Sequence, residues 1–318
     1  MVKTNNTSTA AGNGWTSGKE HMMVAQGTLT IALAQMSQMP IGKPFGAFEN
    51  SVRYVASQRA ADGRSPELIV FPEMHLYGTQ DLDDERSYRM QCAAATDLHD
   101  ELVGKLGKLA RELGIWLIPG TVAERNPEGG IFNTAPVFSP EGELVASYRK
   151  ICPWRPFERY TPGNAFTTFD IPGKCRIGIM ICYDAWFPEI SRQLAWLGAD
   201  IIINPVRTTT PDRAQELILA RANAIVNQTF VASLNAPAPQ GVGQSLLVGP
   251  EGEIISATGD DGEHVIIHTV DLDAVRRVHE QGTAGSNRMW EQFRPGEPPI
   301  PLPLYEGSIS PDRWHIQR

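Results

Sequence analysis

Residues 176–204 read RIGIMICYDAWFPEISRQLAWLGADIIIN, and this stretch decides the class of fold. Two apolar runs, at residues 176–181 and 201–204, are rich in isoleucine and have the length of buried strands. Between them, residues 188–197 have the pattern of a helix with Pro188 in its first turn. A strand, a helix and a second strand in succession predict a layered α/β core.

The same alternation of strands and helices extends in both directions along the chain. Apolar runs of four to eight residues indicate strands, and longer segments with helical periodicity indicate helices. Further strands are predicted at residues 29–35, 68–71, 116–121 and 230–235, with a meander at 244–249, 253–257 and 264–270. Further helices are predicted at residues 45–62, 97–113 and 211–227. A hairpin of residues 132–138 and 144–148 is predicted around the turn SPEG at 139–142.

The two ends of the chain differ in composition from this alternating part. Residues 1–27 are polar and rich in Gly, Ser, Thr and Asn, which is typical of a disordered leader or of a segment that is not native. Residues 282–318 are dense in proline yet carry several large apolar side chains. We expect them to form an arm that packs on its own domain or on another subunit. A single α/β domain is therefore predicted for residues 28–281.

Composition excludes several classes of partner. A chain of 318 residues with 42% hydrophobic content can bury the core of one large domain. Its formal net charge of −8 makes nucleic acid an unexpected partner. No stretch has the roughly 18 consecutive apolar residues of a membrane-spanning helix, so no membrane association is expected. The four cysteines form no CxxC pair, and free thiols in a reducing cytoplasm are expected.

Three reactive side chains each follow an apolar run directly. Glu73 follows LIVFP at residues 68–72, Lys150 follows ASYR at 146–149, and Cys182 follows GIMI at 178–181. Ligand sites in open α/β sheets favour the carboxyl ends of strands. We therefore expect a carboxylate, an ammonium group and a thiol in one region.

These three groups suffice for acyl transfer. Lys150 would favour the thiolate of Cys182, and Glu73 would take the proton and later return it to a leaving amine. Lys150 and the backbone N–H of Tyr183 would stabilise the oxyanion that forms during attack. Taken singly, each residue also has an ordinary structural explanation, as a buried apolar cysteine or a solvated loop charge.

Three short motifs resemble those of the nitrilase superfamily, the carbon–nitrogen hydrolases. They are VFPE at residues 70–73, YRK at 148–150 and ICYDAWFPE at 181–189, and they occur in the family's order. The resemblance implies a four-layer αββα sandwich with a Glu-Lys-Cys triad, here Glu73, Lys150 and Cys182. Relatives of this kind assemble as dimers or larger oligomers, so a homo-oligomer is expected.

Within the superfamily, YRKICPWRPFE at residues 148–158 looks most like the aliphatic amidase and formamidase branch. In that branch a second glutamate, eight positions after the lysine, helps to position the substrate. The resemblance carries this role to Glu158. A loop glutamate paired with Arg155 or Arg159 is the structural alternative.

Four further residues are candidates for contact with the substrate. Trp154 and Trp186 would wall a small pocket unless they are ordinary core aromatics. Tyr183 follows the nucleophile directly. Arg207, in the segment NPVRT at 204–208, would reach the pocket and meet a carboxylate on the substrate.

The resemblance implies hydrolysis of a small-molecule amide to a carboxylic acid and ammonia through a cysteine thioester. Nitrilases tend to have Trp-Glu directly after the cysteine, where this chain has Tyr183-Asp184, so amides are favoured over nitriles. N-carbamoyl amino acid hydrolase or nitrilase activity remains an alternative, and a non-catalytic binding relative of the same fold is the alternative of another class. No metal or organic cofactor is expected, because the histidines lack metal-ligand spacing and no nucleotide-binding motif occurs. The sequence does not fix the acyl group.

Overall fold

A computed structural model describes residues 26–79 and 82–317, which form strands and helices in alternation. The described strands are β1 (Thr28–Gln35), β2 (Leu68–Val70), β3 (Trp116–Ile118), β4 (Val122–Arg125), β5 (Ile131–Phe138), β6 (Leu144–Arg149), β7 (Thr167–Ile171), β8 (Cys175–Ile179), β9 (Ile201–Val206), β10 (Phe230–Asn235), β11 (Leu246–Val248), β12 (Ile254–Ala257), β13 (His264–Asp271), β14 (Ile300–Leu302) and β15 (Gly307–Ile309). The described α-helices are α1 (Phe45–Ser57), α2 (Asp84–Ala93), α3 (Glu101–Leu113), α4 (Pro188–Trp196), α5 (Arg213–Asn227) and α6 (Asp273–Gln281).

The strands assemble into two mixed sheets and one short hairpin. In the first sheet β13, β1, β2, β3, β5 and β4 lie side by side, and β6 pairs with β5. In the second sheet the order is β12, β11, β10, β9, β8 and β7. Strands β8, β9 and β10 are parallel, so their carboxyl ends lie along one edge of the second sheet. The hairpin of β14 and β15 is separate from both sheets.

Side chains alternate between two apolar layers along the central strands. In β1, Ile31 and Leu33 join the core between the sheets, whereas Ala32 packs in the layer that contains α1 and α3. In β9, Ile203 faces the first sheet and Ile202 packs in the layer of α4 and α5. This period of two buries both faces of each sheet. The result is a four-layer αββα sandwich, which confirms the predicted fold class.

Most predicted elements are present, with ends that differ by a few residues. The helix predicted for residues 97–113 begins at Glu101, because residues 97–100 form a turn in which the Asp97 N–H binds the Asp100 carboxylate. The strand predicted for residues 116–121 ends at Ile118. The sequence did not predict α2, β4, β7 or α6. In α2 only Gln91 is buried, so this helix lacks the apolar stripe that reveals a helix in a sequence.

The described part of the C-terminal arm lies on the outside of α4. The indole N–H of Trp196 in α4 donates to the carbonyl of Arg313 at 3.0 Å. The guanidinium of Arg192, also in α4, lies 5.2 Å from the ring centre of Trp290 and 5.7 Å from that of Trp314. The arm therefore packs on its own domain, and a role in subunit contacts stays a prediction.

Two further expectations concern the ends and the surroundings of the chain. The prediction for residues 1–27 falls on residues 1–25, which lie outside the described residues, and on two residues that lead into β1. In the described ranges, no helix combines the length and the apolar character needed to cross a lipid bilayer.

Candidate active site

Glu73 is fixed just beyond the carboxyl end of β2. The next residue, Met74, has a φ of 53°, a left-handed conformation that is unusual for a residue with a side chain. The Met74 N–H donates to Oγ1 of Thr121 at 2.9 Å, and the side-chain amide of Gln38 donates to the Glu73 carbonyl at 3.0 Å. Glu73 is only 1% exposed, so its carboxylate is held inside the protein.

Lys150 is fixed by its backbone at the end of β6. Its N–H donates to the Asn133 carbonyl at 2.9 Å, and its carbonyl accepts the Gly163 N–H at 2.8 Å. A Cβ atom on Gly163 would lie 2.2 Å from the carbonyl oxygen of Arg149, so only glycine allows this close approach. The strand end and the loop after it together aim the Lys150 side chain into the interior.

The ammonium group of Lys150 binds two carboxylates. Its Nζ lies 3.0 Å from Oε1 of Glu73 and 3.0 and 2.8 Å from Oε1 and Oε2 of Glu158. The Lys150 side chain is 0% exposed. Asn133 Nδ2 also donates to Glu73 Oε1 at 2.7 Å, and the Trp154 N–H donates to Glu158 Oε2 at 2.7 Å. The sequence-predicted residues Glu73, Lys150 and Glu158 are thus brought together in one buried cluster.

Cys182 begins a short 3-10 helix, Cys182–Trp186, three residues after β8 ends at Ile179. Its φ of 50° is left-handed, which marks a sharp turn at the thiol. Asp184 fixes this turn, because its Oδ2 accepts the Ile181 N–H at 2.9 Å and the Tyr148 hydroxyl at 2.7 Å. Tyr148 lies in β6, so Asp184 ties the turn at Cys182 to the strand that leads into Lys150. Among the described residues no hydrogen bond is made by the N–H of Tyr183, which leaves it free for an oxyanion.

Burial and the neighbouring charges shift the pKa values of Cys182 and Lys150. Burial and the carboxylate of Glu73 raise the pKa of Cys182 well above its usual value, although Lys150 opposes them. Burial alone would lower the pKa of Lys150, but Glu158 and Glu73 raise it well above its usual value. These directions favour the charged form of Lys150 and the protonated form of Cys182. Lys150 lowers the pKa of Cys182, as expected, but burial and the Glu73 carboxylate together outweigh it.

A polar cleft of about 610 Å³ opens over the cysteine. Its lining includes Cys182, Glu158, Tyr183, Trp154 and Arg207. Within the described parts of the chain, no group of three or more His, Cys, Asp and Glu side chains is arranged to hold a metal ion.

Trp186, a sequence-predicted wall of the pocket, does not line the cleft. Its ring centre lies 6.1 Å from that of Tyr183, and its indole N–H is buried without a hydrogen-bond partner among the described residues. The structure therefore does not bring Trp186 to the site.

The sequence reasoning missed a second polar group beside the thiol. Cys182 Sγ lies 3.9 Å from Oγ1 of Thr208, whose hydroxyl donates to Glu216 Oε1 at 2.9 Å. Arg213, one turn earlier in α5, donates to Glu216 Oε2 at 3.0 Å. Both charged residues are almost fully buried. Two charges three positions apart, in line with the polar Asn223 on the same buried face of α5, were the signal available in the sequence.

Comparison with known proteins identifies the family. The model of the carbon–nitrogen hydrolase family matches residues 30–280, so the chain belongs to this family, and the resemblance seen in the motifs is confirmed. Omega-amidase NIT2 of Homo sapiens is 31% identical over 203 residues, which cover 59% of this chain and 72% of that protein. Formamidase of Bacillus thuringiensis (strain Al Hakam) is 34% identical over 183 residues, which cover 55% of this chain and 52% of that protein.

The fold agrees with solved structures of the same superfamily. The crystal structure of Saccharomyces cerevisiae Nit3, a member of branch 10 of the nitrilase superfamily, has a TM-score of 0.71 and 24% sequence identity. The alignment covers 85% of this chain and 99% of Nit3. The chain is therefore a carbon–nitrogen hydrolase by family and by fold.

Proposed function

We propose that this protein hydrolyses a linear small-molecule amide to a carboxylic acid and ammonia through a thioester on Cys182. One observation carries the proposal: the buried Lys150 ammonium group binds Glu73, just beyond β2, and Glu158, in the loop after β6, and this charged cluster acts on the Cys182 thiol. Such a group of base, cation and thiol provides the proton transfers and the charge stabilisation that acyl transfer needs.

Attack begins with proton transfer from Cys182 to Glu73. Oε1 of Glu73 is occupied by Asn133 and Lys150, while its Oε2 has no partner among the described residues and can accept the proton. Sγ forms a bond to the amide carbon, and the carbonyl oxygen becomes an oxyanion. Lys150 and the backbone N–H of Tyr183 stabilise that charge, and the loss of one such donor typically costs about 100-fold or more in rate.

Collapse of the tetrahedral intermediate breaks the carbon–nitrogen bond. Glu73 returns its proton to the nitrogen, so ammonia leaves and a thioester remains on Cys182. A water molecule then enters, gives a proton to Glu73 and attacks the thioester carbon. When the carbon–sulfur bond breaks, Cys182 recovers that proton from Glu73 and the carboxylic acid is released. Glu158 positions the substrate and holds Lys150 in place.

The relatives' names support an amide as the substrate. Omega-amidase and formamidase are both amide hydrolases by name. The alternatives of the same chemistry are an N-carbamoyl amino acid hydrolase and a nitrilase. The residues after the cysteine favour an amide, because Tyr183-Asp184 stands where nitrilases tend to have Trp-Glu.

Ammonia release by the wild-type protein and Cys182→Ala tests the proposal directly. The panel contains formamide, propionamide, amino-acid amides, succinamate, N-carbamoyl amino acids and nitriles. We expect release from one or more amides that is lost in Cys182→Ala. Release from carbamoyl compounds or nitriles alone would replace the amide proposal with one of its alternatives. Full turnover by Cys182→Ala would contradict the proposed function. A folded wild-type protein that released ammonia from no compound of the panel would also contradict it.

The assembly and the compartment are also proposals. The family resemblance supports a homo-oligomer, and light scattering of the purified protein would contradict this if it gave the mass of a single chain. The free thiols of Cys92, Cys152, Cys175 and Cys182 support a reducing cytoplasm. Localisation of the tagged protein in its native cell tests that compartment.

A further inference from the structure

The thiol of Cys182 has a hydrogen-bond partner that the proposed proton transfers do not use. Its Sγ lies 3.9 Å from Oγ1 of Thr208, and Thr208 is only 6% exposed. Both residues line the cleft. Among the described residues the thiol makes no other hydrogen bond. Thr208 is therefore the polar side chain that contacts the reacting sulfur in the free site.

The hydrogen of the Thr208 hydroxyl group is directed away from the sulfur. Thr208 Oγ1 donates to Oε1 of Glu216 at 2.9 Å. Glu216 is paired with Arg213, and an ionised carboxylate can only accept hydrogen bonds. Because a hydroxyl group has one hydrogen, Thr208 can offer Cys182 only an oxygen lone pair. The thiol therefore donates to Thr208, and the bond to Glu216 makes the hydroxyl oxygen a stronger acceptor.

The groups that set this direction are held firmly. Arg213 Nη1 donates to Oε2 of Glu216 and to Oγ of Ser233, both at 3.0 Å. The backbone of Thr208 is bound by one side chain of β10: Asn235 Oδ1 accepts its N–H at 2.9 Å, and Asn235 Nδ2 donates to its carbonyl at 3.1 Å. The acceptor on Thr208 is therefore preorganised beside the sulfur and needs no rearrangement during the reaction.

The lone pair of Thr208 becomes vacant when the thiol loses its proton. Once Glu73 has taken the proton of Cys182, the sulfur no longer donates to Thr208. The amide nitrogen of the substrate is then bonded to the carbon that Sγ attacks, two bonds from the sulfur that Thr208 contacts. An N–H of this nitrogen is within reach of the vacated lone pair. The hydrogen bond strengthens as Glu73 returns its proton to the nitrogen, because the nitrogen then becomes positively charged.

We propose that Thr208, oriented by Glu216, accepts a hydrogen bond from the leaving nitrogen and so makes the site selective for amides over esters of the same acid. This inference rests on the proposed amide hydrolysis. An ester presents an oxygen with lone pairs and no hydrogen at this position, so it would face a lone pair of Thr208 with its own. Thr208 contacts the reacting atoms, whereas Glu216 is a positioning residue that acts through Thr208.

A matched amide and ester test this inference. Propionamide and methyl propionate share an acyl group, and the propionate formed from each is measured by chromatography. We expect Thr208→Val to lower kcat/KM for propionamide about 10- to 100-fold, the range of a hydrogen bond to a charged group, and to change that for methyl propionate less than about three-fold. The loss should appear in kcat, since the bond is strongest in the transition state. Thr208→Ser keeps the hydroxyl group and should retain most of the amide turnover. An amide that the wild type turns over faster is paired with the methyl ester of its own acid.

Glu216→Gln reverses the direction of the hydroxyl group without removing it. Arg213 requires an acceptor, so the new side chain turns its carbonyl oxygen to Arg213 and its NH₂ group to Thr208. The Thr208 hydroxyl group then directs its own hydrogen toward the sulfur and the leaving group. We expect the ratio of amide to ester kcat/KM to fall by about 10-fold or more. Thr209→Val is the control at the next position, where the side chain is exposed, and it should leave this ratio unchanged.

An unchanged ratio of amide to ester kcat/KM in either Thr208→Val or Glu216→Gln would overturn the inference, whether both rates fall together or neither falls. Rates that fall together would show that the hydroxyl group only supports the structure of the site. In either case ammonia release from amides by the wild type would leave the proposed function intact. If the wild type released ammonia from no amide, the proposed function itself would fail.

Discussion

The ammonium group of Lys150 is shared between two carboxylates, and the neighbouring thiol of Cys182 has a pKa that burial and Glu73 raise. Glu73, Glu158 and Lys150 together carry one net negative charge in a buried volume. A thiolate at Cys182 would add a second negative charge to the same buried volume. We therefore propose that the thiol keeps its proton until a substrate carbonyl receives the sulfur electron pair, and that Glu73 removes this proton.

The pH dependence of alkylation follows from the raised pKa of Cys182. Iodoacetamide reacts with thiolates, so a raised pKa means slow labelling at neutral pH and a rate that increases as the pH rises. We expect the midpoint of the pH dependence of Cys182 labelling to lie above the ordinary cysteine pKa of about 8.5. Labelling of the Cys182 peptide, followed by mass spectrometry from pH 6 to pH 11, measures it.

Glu73→Gln provides the matched control for that experiment. This variant removes the carboxylate that raises the pKa of the thiol, so the midpoint of Cys182 should move to lower pH. Rapid and selective labelling of wild-type Cys182 at pH 7 would contradict the electrostatics described for the site.

Motifs in the sequence identify the candidate site residues but not the residues that hold them in place. Glu73, Lys150, Glu158 and Cys182 each lie in a recognisable segment, and the structure brings them together. Asn133 lies in no such segment, although its side-chain amide donates to Glu73, 60 positions away in the chain. Contacts between distant segments depend on the register of strands, which local patterns do not fix.

Helix α3 shows how one element is adapted to its neighbours. Gly104 and Gly107 lie three positions apart in this helix, and only the second faces the hairpin of β5 and β6. A Cβ on Gly107 would lie 2.4 Å from the carbonyl oxygen of Gly142, whereas a Cβ on Gly104 would meet nothing within 4 Å. The same substitution should therefore have opposite effects at the two positions.

We expect Gly104→Ala to stabilise the protein by about 0.5–1 kcal/mol, because alanine favours the helix over the unfolded chain. Gly107→Ala should destabilise it by about 1–3 kcal/mol, because the hairpin turn must move. Urea unfolding of both variants gives the two free energies. Effects of the same sign would contradict the packing of α3 on the turn.

Elements with a strong apolar pattern were predictable from the sequence, and their ends were less so. The strand predicted for residues 230–235 matches β10, Phe230–Asn235, because four of its six residues are apolar and it is buried on both faces. The helix predicted for residues 45–62 ends at Ser57, where Gln58 takes an extended backbone conformation. Its apolar periodicity continues beyond the point at which the backbone leaves the helix.

For the whole molecule, the sandwich was predictable but the path of the C-terminal arm was not. Proline and glycine in residues 282–318 exclude a long helix without saying where the chain goes. The structure places Trp290 and Trp314 next to each other, with ring centres 5.7 Å apart, under the guanidinium of Arg192. Three aromatic and cationic groups from distant segments thus hold the arm on α4.

Loss of the contact between the arm and Arg192 of α4 should release the arm and leave the sandwich folded. We expect Trp314→Ala to increase the rate of proteolysis within residues 283–317 several-fold, because the ring packs and donates its N–H to the Met289 carbonyl at 2.8 Å. Leu304→Ala is the control in the same arm, since Leu304 is 83% exposed. Equal cleavage rates for both variants would show that Trp314 does not fasten the arm.

Nucleophilic catalysis by Cys182 is tested most directly by the mass of the protein during turnover. An amide substrate is mixed with the enzyme, the reaction is quenched in acid within milliseconds to seconds, and the intact mass and peptides are recorded. We expect an increase equal to the acyl group less one hydrogen, located on Cys182 and absent from Cys92, Cys152 and Cys175. Cys182→Ala should show no such adduct and no ammonia release. Turnover without an adduct on Cys182 at any quench time, together with an active Cys182→Ala, would contradict nucleophilic catalysis by this cysteine.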